Sequence, residues 1–278
     1  MILRAGTVCS VGIGPAAGGR SRNEDNFLVA SDGQARWRDE DSEITQPWPG
    51  EGTLIGVADG MGGHADGHIA SLRAVQALTN WPGASGVTDP EGALRQFILE
   101  AHHEIRATMM RPIQMGTTLI ACWILDDRLV WCHVGDSRLF VLRRGVLHLL
   151  TRDHTRSEFA ERDGRPPPTH PQLLAQNFIF GSRGLGTDNS LRIDRGLDTG
   201  LLKLESGDRL LLCSDGLYAW VEEAELGGVL QGASDPAQAA AQMVEMALAN
   251  HSDDNATAVV LFADRRTLEL SGTIIPLS

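Results

Sequence analysis

Acidic residues stand where strongly apolar segments of the chain end. Asp59 follows the apolar run of residues 54–58, Asp215 follows residues 210–214, and a glycine comes directly after each aspartate. Asp-Gly is a common turn dipeptide, so either aspartate alone has a purely structural explanation. Carboxylates that are brought together repel one another unless they are protonated or neutralised, and a divalent cation is the natural neutraliser.

Other apolar runs of the chain also begin or end beside acids. These acids are Glu24 with Asp25, Asp136, and Asp254. Oxygen ligands without histidine or cysteine partners favour magnesium, manganese or calcium over zinc or copper. Gly60 has no side chain, so its backbone carbonyl can approach a metal closely. The sequence therefore predicts a site for hard divalent cations.

The elements that must position these acids are strands joined by short turns. Apolar runs with a period of two predict strands over residues 27–30, 53–58, 117–125, 129–134, 139–142, 209–214 and 256–262. Very short connections such as Asp126-Asp127 predict antiparallel hairpins, because parallel neighbours need long crossovers. Helical patterns cover residues 64–81, 90–110 and 236–251. Together they indicate helices packed on antiparallel sheet.

Two long segments interrupt this pattern. Residues 31–52 hold Trp37 and Trp48 amid a run of mixed charge and predict an inserted surface loop between two strands. Residues 155–191 hold several prolines and glycines and predict a partly irregular segment that lies over another part of the fold. No repeat or linker is apparent, so we treat residues 1–278 as a single domain.

Composition excludes several classes of protein. The chain has 278 residues, of which 42% are hydrophobic and 22% charged, as is ordinary for a globular protein. Its formal net charge of −12 disfavours binding to nucleic acid or an acidic membrane surface. Four cysteines show neither a disulfide framework nor zinc-type spacing. With no apolar run of bilayer length and no signal peptide, we expect a cytoplasmic protein.

The motifs occur in an order that resembles a known family. From about residue 18 to residue 262, the chain is similar to the bacterial branch of the metal-dependent protein phosphatases of the PP2C (PPM) family. The matching segments are Arg20, Asn23-Glu24-Asp25, Asp59-Gly60-Met61-Gly62-Gly63-His64, Gly116-Thr117-Thr118, Gly135-Asp136-Ser137-Arg138, Asp153-His154, Ser214-Asp215-Gly216-Leu217 and Asp254-Asn255-Ala256-Thr257.

The resemblance implies a fold and a metal site. The fold is α+β, a four-layer αββα sandwich of two antiparallel sheets flanked by helices. The metal site holds two Mn²⁺ or Mg²⁺ ions and a third, weaker one in a cleft at one end of the sheets. By this resemblance, Asp59 bridges the two ions and the Gly60 carbonyl is a ligand. Asp215 and Asp254 match the remaining ligands of the first ion, and Asp25 matches the acid that holds water on the second, with Glu24 as a possible direct or supporting ligand. Asp136 with Asp215 matches the site of the third ion.

The resemblance also implies a mechanism. Two cations that flank a water molecule lower its pKa, so a metal-bridging hydroxide can attack the phosphorus of phosphoserine or phosphothreonine directly. Arg20 matches the arginine that binds phosphate, and Arg22 is the alternative. Animal members have histidine where this chain has Met61, which leaves the general acid unassigned. His64 and His154 are interpreted as structural, with metal-bound water as the preferred donor, and residues 155–191 correspond to the substrate-discriminating flap.

The expected activity is that of a serine/threonine phosphoprotein phosphatase. Its expected partners are phosphorylated proteins, together with a bacterial kinase whose action it reverses. Three alternatives remain open: a catalytically silent domain that binds phosphoproteins, a structural calcium-binding domain, and a hydrolase of small phosphate esters. A silent domain should have lost ligands, whereas every matched position here is still acidic.

Overall fold

A computed structural model of the chain describes residues 1–61, 67–108, 115–166, 179–182 and 196–264. The strands in these ranges are β1 (Ile2–Ser10), β2 (Asp25–Ser31), β3 (Gln34–Asp39), β4 (Ser42–Pro47), β5 (Thr53–Met61), β6 (Met115–Thr117), β7 (Leu119–Leu125), β8 (Arg128–Val134), β9 (Arg138–Arg143), β10 (Val146–Leu149), β11 (Ile179–Ser182), β12 (Asp198–Lys203), β13 (Asp208–Cys213) and β14 (Ala256–Asp264). The helices are α1 (Gly67–Leu78), α2 (Pro90–Thr108), α3 (Arg156–Arg162), α4 (Asp215–Tyr218), α5 (Glu223–Gly232) and α6 (Pro236–Ala249), with a 3-10 turn at Pro15–Ala17.

The strands pair into two sheets. The smaller has the order β1-β14-β13-β9-β10, and the larger has the order β12-β8-β7-β5-β2-β3-β4, with β6 on β5 and β11 on β6. The pairings of these strands are antiparallel. Short connections produce this arrangement, as the sequence predicted: Asp126, with φ 57°, turns β7 into β8.

Alternating side chains of the central strands enter different cores. In β5 of the larger sheet, Leu54 packs with helices α1 and α2, whereas Ile55 faces the smaller sheet. In β13 of the smaller sheet, Leu210 faces the larger sheet, whereas Leu211 packs with α4, α5 and α6. Each sheet is therefore covered on both faces, which explains why its central strands read as continuous apolar runs. The predicted four-layer αββα sandwich is confirmed.

Residues 31–52 do not form the predicted surface loop. They continue the larger sheet as the hairpin β3–β4, and β3 pairs with β2. Trp37 and Trp48 are buried, and tight turns at Asp32-Gly33 and Glu40, all with positive φ, reverse the chain. The charged residues that alternate with Ala35 and Trp37 hid a half-buried strand, so the loop prediction was wrong.

Other elements were not predicted from the sequence. The edge strands β1, β10 and β12 and helix α5 fall in this class. Of the expected flap, the described part contains α3 and β11; residues 167–178 and 183–195 lie outside the described residues, as does the C-terminal stretch 265–278. Within the described ranges, no helix combines the length and apolarity that a bilayer crossing requires.

Candidate metal centre

The pairing of β2 with β5 brings two of the predicted acids face to face. In this antiparallel register Asp25 lies opposite Asp59. Asp59 therefore lies inside β5, and the backbone around it is fixed by neighbours on both sides. Its N–H donates to Thr118 Oγ1 (3.0 Å), and its carbonyl accepts from Thr117 Oγ1 (2.8 Å) and from the Thr118 N–H (2.9 Å).

The smaller sheet contributes two further acids. Asp215 is the first residue of α4, directly after β13, and Asp254 precedes β14. Gly216 makes this arrangement possible: a Cβ there would lie 2.0 Å from the Asn255 carbonyl oxygen. Ser252 Oγ closes the contact by donating to the Gly216 carbonyl at 2.8 Å. A larger residue at position 216 would separate the two segments that carry Asp215 and Asp254.

Asp25 connects the two sheets. Its Oδ2 accepts hydrogen bonds from Ser214 Oγ (2.6 Å), directly after β13, and from Thr257 Oγ1 (2.7 Å), in β14 of the smaller sheet. Its Oδ1 is buried and has no hydrogen-bond partner within the described part of the chain. Buried carboxylate oxygens are ordinarily paired or bound to a metal. Asp25 Oδ1 is thus an orphaned ligand atom at the junction of the sheets.

The acids form one electrostatic cluster. Burial raises the pKa of Asp25 to about 8, repulsion from Asp215 and Asp254 adds to this, and the hydrogen bonds from Ser214 and Thr257 oppose it. Burial and then repulsion from Asp25, Asp215 and other acids raise the pKa of Asp59 well above its ordinary value.

The remaining members respond in the same way. Burial, followed by repulsion from Asp215, raises the pKa of Asp136 to about 7. Burial and repulsion from Asp254 also raise the pKa of Asp215, while a hydrogen bond from Asp59 lowers it. Carboxyl groups that raise one another's pKa in this way lie close together. Their site favours neutralisation of the negative charge by a proton or a cation.

These residues fit a hard divalent cation. The donors are carboxylate oxygens and one of them, Asp25 Oδ1, lacks a partner among the described residues. Gly60 cannot be replaced without moving the backbone, since a Cβ would lie 2.3 Å from the Gly67 carbonyl oxygen and 2.5 Å from that of Glu24. The Glu24 side chain also lies close to this contact: its Oε2 is 2.7 Å from the position that a Cβ of Gly67 would take.

The two candidate phosphate-binding arginines differ in their placement. Arg20 Nη2 donates to Asp254 Oδ2 at 2.7 Å, and just over half of the Arg20 side chain is exposed. Arg22 Nη1 instead lies 3.0 Å from Nε2 of His68. Asn255 fixes the loop that carries both arginines, because its Oδ1 accepts from the Glu24 N–H at 2.8 Å. Arg20 is therefore the arginine placed directly at the carboxylate cluster.

Only one of the two candidate histidines lies within the described residues. His64 lies outside the described residues. His154 is fully buried and contacts the Gly135 backbone and Asp198, which agrees with the structural interpretation. Met61, at the end of β5, has no proton to donate.

Sequence reasoning missed the residues that orient the acids. Ser214, Thr257, Thr118 and Asn255 all hold a predicted site residue or its neighbouring backbone. Each lies inside a motif that the sequence analysis quoted, so the signal was present but was assigned to the acids alone. Tyr218, whose hydroxyl donates to the Asp136 carbonyl at 3.0 Å, has no such signal.

Comparisons with known proteins identify the family to which the chain is similar. Residues 38–257 match the family model described as protein phosphatase 2C. The chain is 32% identical over 222 residues to the serine/threonine phosphatase stp of Listeria monocytogenes, covering 76% of this chain and 84% of that protein.

Solved structures give the same result. The crystal structure of the Mycobacterium tuberculosis serine/threonine phosphatase PstP/Ppp is 29% identical, with a TM-score of 0.71 and coverage of 95% of this chain and 100% of that one. A structure of the PstP catalytic domain in complex with two manganese ions is 28% identical, with a TM-score of 0.66 and coverage of 95% and 99%. The chain belongs to the protein phosphatase 2C family.

Proposed function

We propose that the carboxylate cluster is the active centre of a metal-dependent serine/threonine phosphoprotein phosphatase. The observation that carries this proposal is the convergence of acids from both sheets around Asp25, whose buried Oδ1 has no partner among the described residues. Relatives at about 32% identity are named serine/threonine phosphatases. The chain has the acids that such chemistry requires. Their burial and mutual repulsion disfavour a state in which all of them are ionised without a bound cation.

Different residues of the cluster would bind each of two Mn²⁺ or Mg²⁺ ions. Asp59 would be the shared ligand, because it lies opposite Asp25 and each of the other acids raises its pKa, and the Gly60 carbonyl lies beside it. Asp215 and Asp254 would complete the ligands of one ion, and Asp25 would serve the other, with Glu24 as a supporting group. When bound, two such cations lower the pKa of a water molecule between them and offset the charge of the phosphate.

Arg20 orients the phosphate ester. Its guanidinium already pairs with Asp254 at the edge of the cluster and keeps more than half of its side chain exposed. A guanidinium grips two phosphate oxygens in a fork geometry, which both binds the ester and fixes its orientation. The oxygens of the ester would accept hydrogen bonds from the exposed part of the Arg20 guanidinium.

Asp136 and Asp215 together offer a third, weaker cation site. Asp136 lies in the turn after β8, and Asp215 is the largest charged contributor to its raised pKa. Both residues are more exposed than Asp25, since Asp136 and Asp215 are half-buried whereas Asp25 is buried. A third ion held by two carboxylates should bind more weakly than the ions held by more ligands.

The substrates are proteins phosphorylated on serine or threonine. A kinase that transfers phosphate to protein hydroxyls must supply them, and we infer a bacterial serine/threonine kinase as the opposing enzyme because the bacterial relatives are phosphatases of this type. A cytoplasmic location stays a prediction from the sequence.

Purified variants test the proposal. We expect Asp59→Asn and Asp215→Asn to lower Mn²⁺-dependent hydrolysis of a phosphothreonine peptide by at least about 1,000-fold, as loss of a central catalytic group does. Circular dichroism should show them folded. Asp127→Asn is the matched control, because Asp127 lies in the turn at the opposite end of β8 from Asp136. Retention of activity in both site variants would refute the assignment.

The same assay separates the alternatives. A silent phosphoprotein-binding domain or a structural calcium site would give no hydrolysis in the wild-type protein. A hydrolase of small esters would act on an aryl phosphate and leave phosphothreonine peptides intact. The retention of Asp25, Asp59, Asp136, Asp215 and Asp254 together favours the enzyme.

A further inference from the structure

One buried histidine holds the turn that carries Asp136. The His154 N–H donates to the Gly135 carbonyl at 2.7 Å, and the Gly135 N–H donates to His154 Nδ1 at 3.1 Å. Both backbone polar groups of Gly135 are therefore paired with the same residue. Gly135 has φ 105°, a conformation open to glycine, and a Cβ there would lie 2.5 Å from the Thr118 side chain. The turn before Asp136 is fixed by conformation and by His154.

The hydrogen bond from Gly135 also determines the form of the imidazole. Because Nδ1 accepts the hydrogen bond from the Gly135 N–H, the proton of the ring is on Nε2. Nε2 lies 3.2 Å from Asp198 Oδ2, so it donates to that carboxylate. Burial opposes ionisation of Asp198, yet hydrogen bonds from His154 and Arg162 lower its pKa overall. Asp198 thus accepts as a carboxylate and keeps the ring in one orientation.

Asp198 is itself held from the first helix of the flap segment. Arg162, in α3, donates from Nη1 to Asp198 Oδ1 (3.1 Å) and from Nη2 to Oδ2 (2.6 Å). The connected series therefore runs from Arg162 through Asp198 and His154 to Gly135 and the neighbouring Asp136. It joins helix α3 and the edge strand β12 to the turn at the end of β8.

A cation site at this place is a different interpretation of the same side chains. Ligand atoms of His133, His154 and Asp198 lie within 4.8 Å of one another, and neither ring nitrogen of His133 has a hydrogen-bond partner in the described ranges. However, His154 Nε2 keeps its proton while Nδ1 accepts from Gly135, so it has no lone pair for a metal. Arg162 also covers both oxygens of Asp198. The group is a hydrogen-bonded series and does not form a metal site.

We propose that His154 is a positioning residue for Asp136 and, through it, for the third cation site, and that Asp198 keeps His154 in the required orientation. This inference rests on the proposed function, which assigns that third site to Asp136. Loss of a residue that orients a metal ligand weakens metal binding by about 10- to 100-fold. The effect should fall on the weakest ion, because Asp25, Asp59 and Asp254 are held by other contacts.

Two near-isosteric substitutions separate the two sides of the imidazole. In His154→Asn, the amide oxygen can occupy the place of Nδ1 and still accept from the Gly135 N–H. In His154→Gln, the amide nitrogen can reach the place of Nε2 and donate to Asp198, but the acceptor for Gly135 is lost. A residue needed only for packing would not distinguish them in this direction, since asparagine leaves the larger hole.

The measurement is a Mn²⁺ titration without substrate, followed by the free-ion signal in electron paramagnetic resonance. We expect His154→Gln to weaken the lowest-affinity Mn²⁺ by about 10-fold while the two tighter ions bind as in the wild type. His154→Asn should stay closer to the wild type. His148→Gln is the control, because His148 is exposed on β10. Asp198→Ala should weaken the same ion and decides the matter if His154→Gln does not fold.

Asp136→Ala separates a failure of the third-ion assignment from a failure of the positioning role of His154. If this variant binds Mn²⁺ as the wild type does, the third ion of the proposed function is misassigned. If it loses the weakest ion while His154→Gln and Asp198→Ala bind all ions normally, the positioning role of His154 is overturned. Equal weakening of all ions by His154→Gln would also overturn it, because that result indicates general loosening of the fold.

Discussion

Asp25 shows at the scale of one residue how the site is prepared for a cation. Two hydroxyl groups, from Ser214 and Thr257, donate to one of its oxygens, and the other is buried without a partner among the described residues. A buried carboxylate in this condition either binds a proton or binds a metal. The hydroxyls fix its orientation but leave the charge to be neutralised by the ligand.

Arg20 gives a prediction at the same scale. Arg20→Ala should lower kcat/KM for a phosphothreonine peptide by about 10- to 100-fold, the loss that follows from removing about 1.5–3 kcal/mol of charged hydrogen bonding to phosphate. The change should fall mainly on KM, with a smaller loss in kcat. Steady-state kinetics at saturating Mn²⁺ measure it.

Arg22→Ala is the matched comparison for Arg20→Ala. Arg22 lies against His68 and should change KM little. If Arg22→Ala raises KM while Arg20→Ala does not, the phosphate-binding role belongs to Arg22.

At the scale of elements, strand register and close backbone contact assemble the site. The antiparallel pairing of β2 with β5 places Asp25 opposite Asp59, and Gly60 allows β5 to approach helix α1. Register cannot be read from separate apolar runs, because shifting one strand by a single residue reverses which side chains face each other. The sequence therefore identified the acids without showing their pairing.

Gly60→Ala tests this close contact. A Cβ would lie 2.3 Å from the Gly67 carbonyl oxygen, so the start of α1 must move away from β5. We expect a loss of about 1–3 kcal/mol in the free energy of unfolding, as for overpacking elsewhere, together with weaker Mn²⁺ binding. Chemical denaturation with and without Mn²⁺ measures both effects.

Gly228→Ala is the control for that experiment. Gly228 lies in helix α5 with no atom within 4 Å of a built Cβ, so alanine should stabilise the protein by up to about 1 kcal/mol. A neutral Gly60→Ala variant with unchanged Mn²⁺ binding would show that the contact between β5 and α1 is adaptable.

The parts of the fold that the sequence predicted are those with simple patterns. Central strands such as β5 and β13 have continuous apolar runs because both of their faces are buried. Peripheral strands lack this signal: the edge strands β1 and β12 are mostly half-exposed, and β3, next to the edge, alternates Ala35 and Trp37 with arginines. The candidate acids were found by type and position, and their roles came from the family resemblance. The hydroxyl and amide groups that orient them became evident only with the fold.

At the scale of the whole molecule, the carboxylate cluster couples stability to pH and to metal. The pKa of Asp25 rises from 3.8 to about 8 and that of Asp136 to about 7 in the folded protein. Between about pH 4 and pH 8 the folded state therefore holds protons that the unfolded state has released. By linkage, the metal-free protein loses stability as pH rises through this window.

This linkage predicts opposite behaviour with and without Mn²⁺. Thermal unfolding of chelator-treated protein should show Tm falling from pH 5 to pH 8, with a smaller decline in Asp25→Asn. Mn²⁺ at about 100 times its Kd should add about 2.7 kcal/mol of stability, and the gain should increase with pH as competing protons leave. A metal-free Tm that rises across this range in the wild type and falls in Asp25→Asn would contradict the burial of these acids.

The central claim is that acids from both sheets meet around two divalent cations. Crystals grown with Mn²⁺ and measured at the manganese absorption edge test it most directly, since anomalous scattering locates the ions independently of the protein. We predict two strong peaks that share Asp59, one bounded by Asp215 and Asp254 and the other beside Asp25. Protein that is saturated with Mn²⁺ but shows no anomalous peak between these carboxylates would contradict the account.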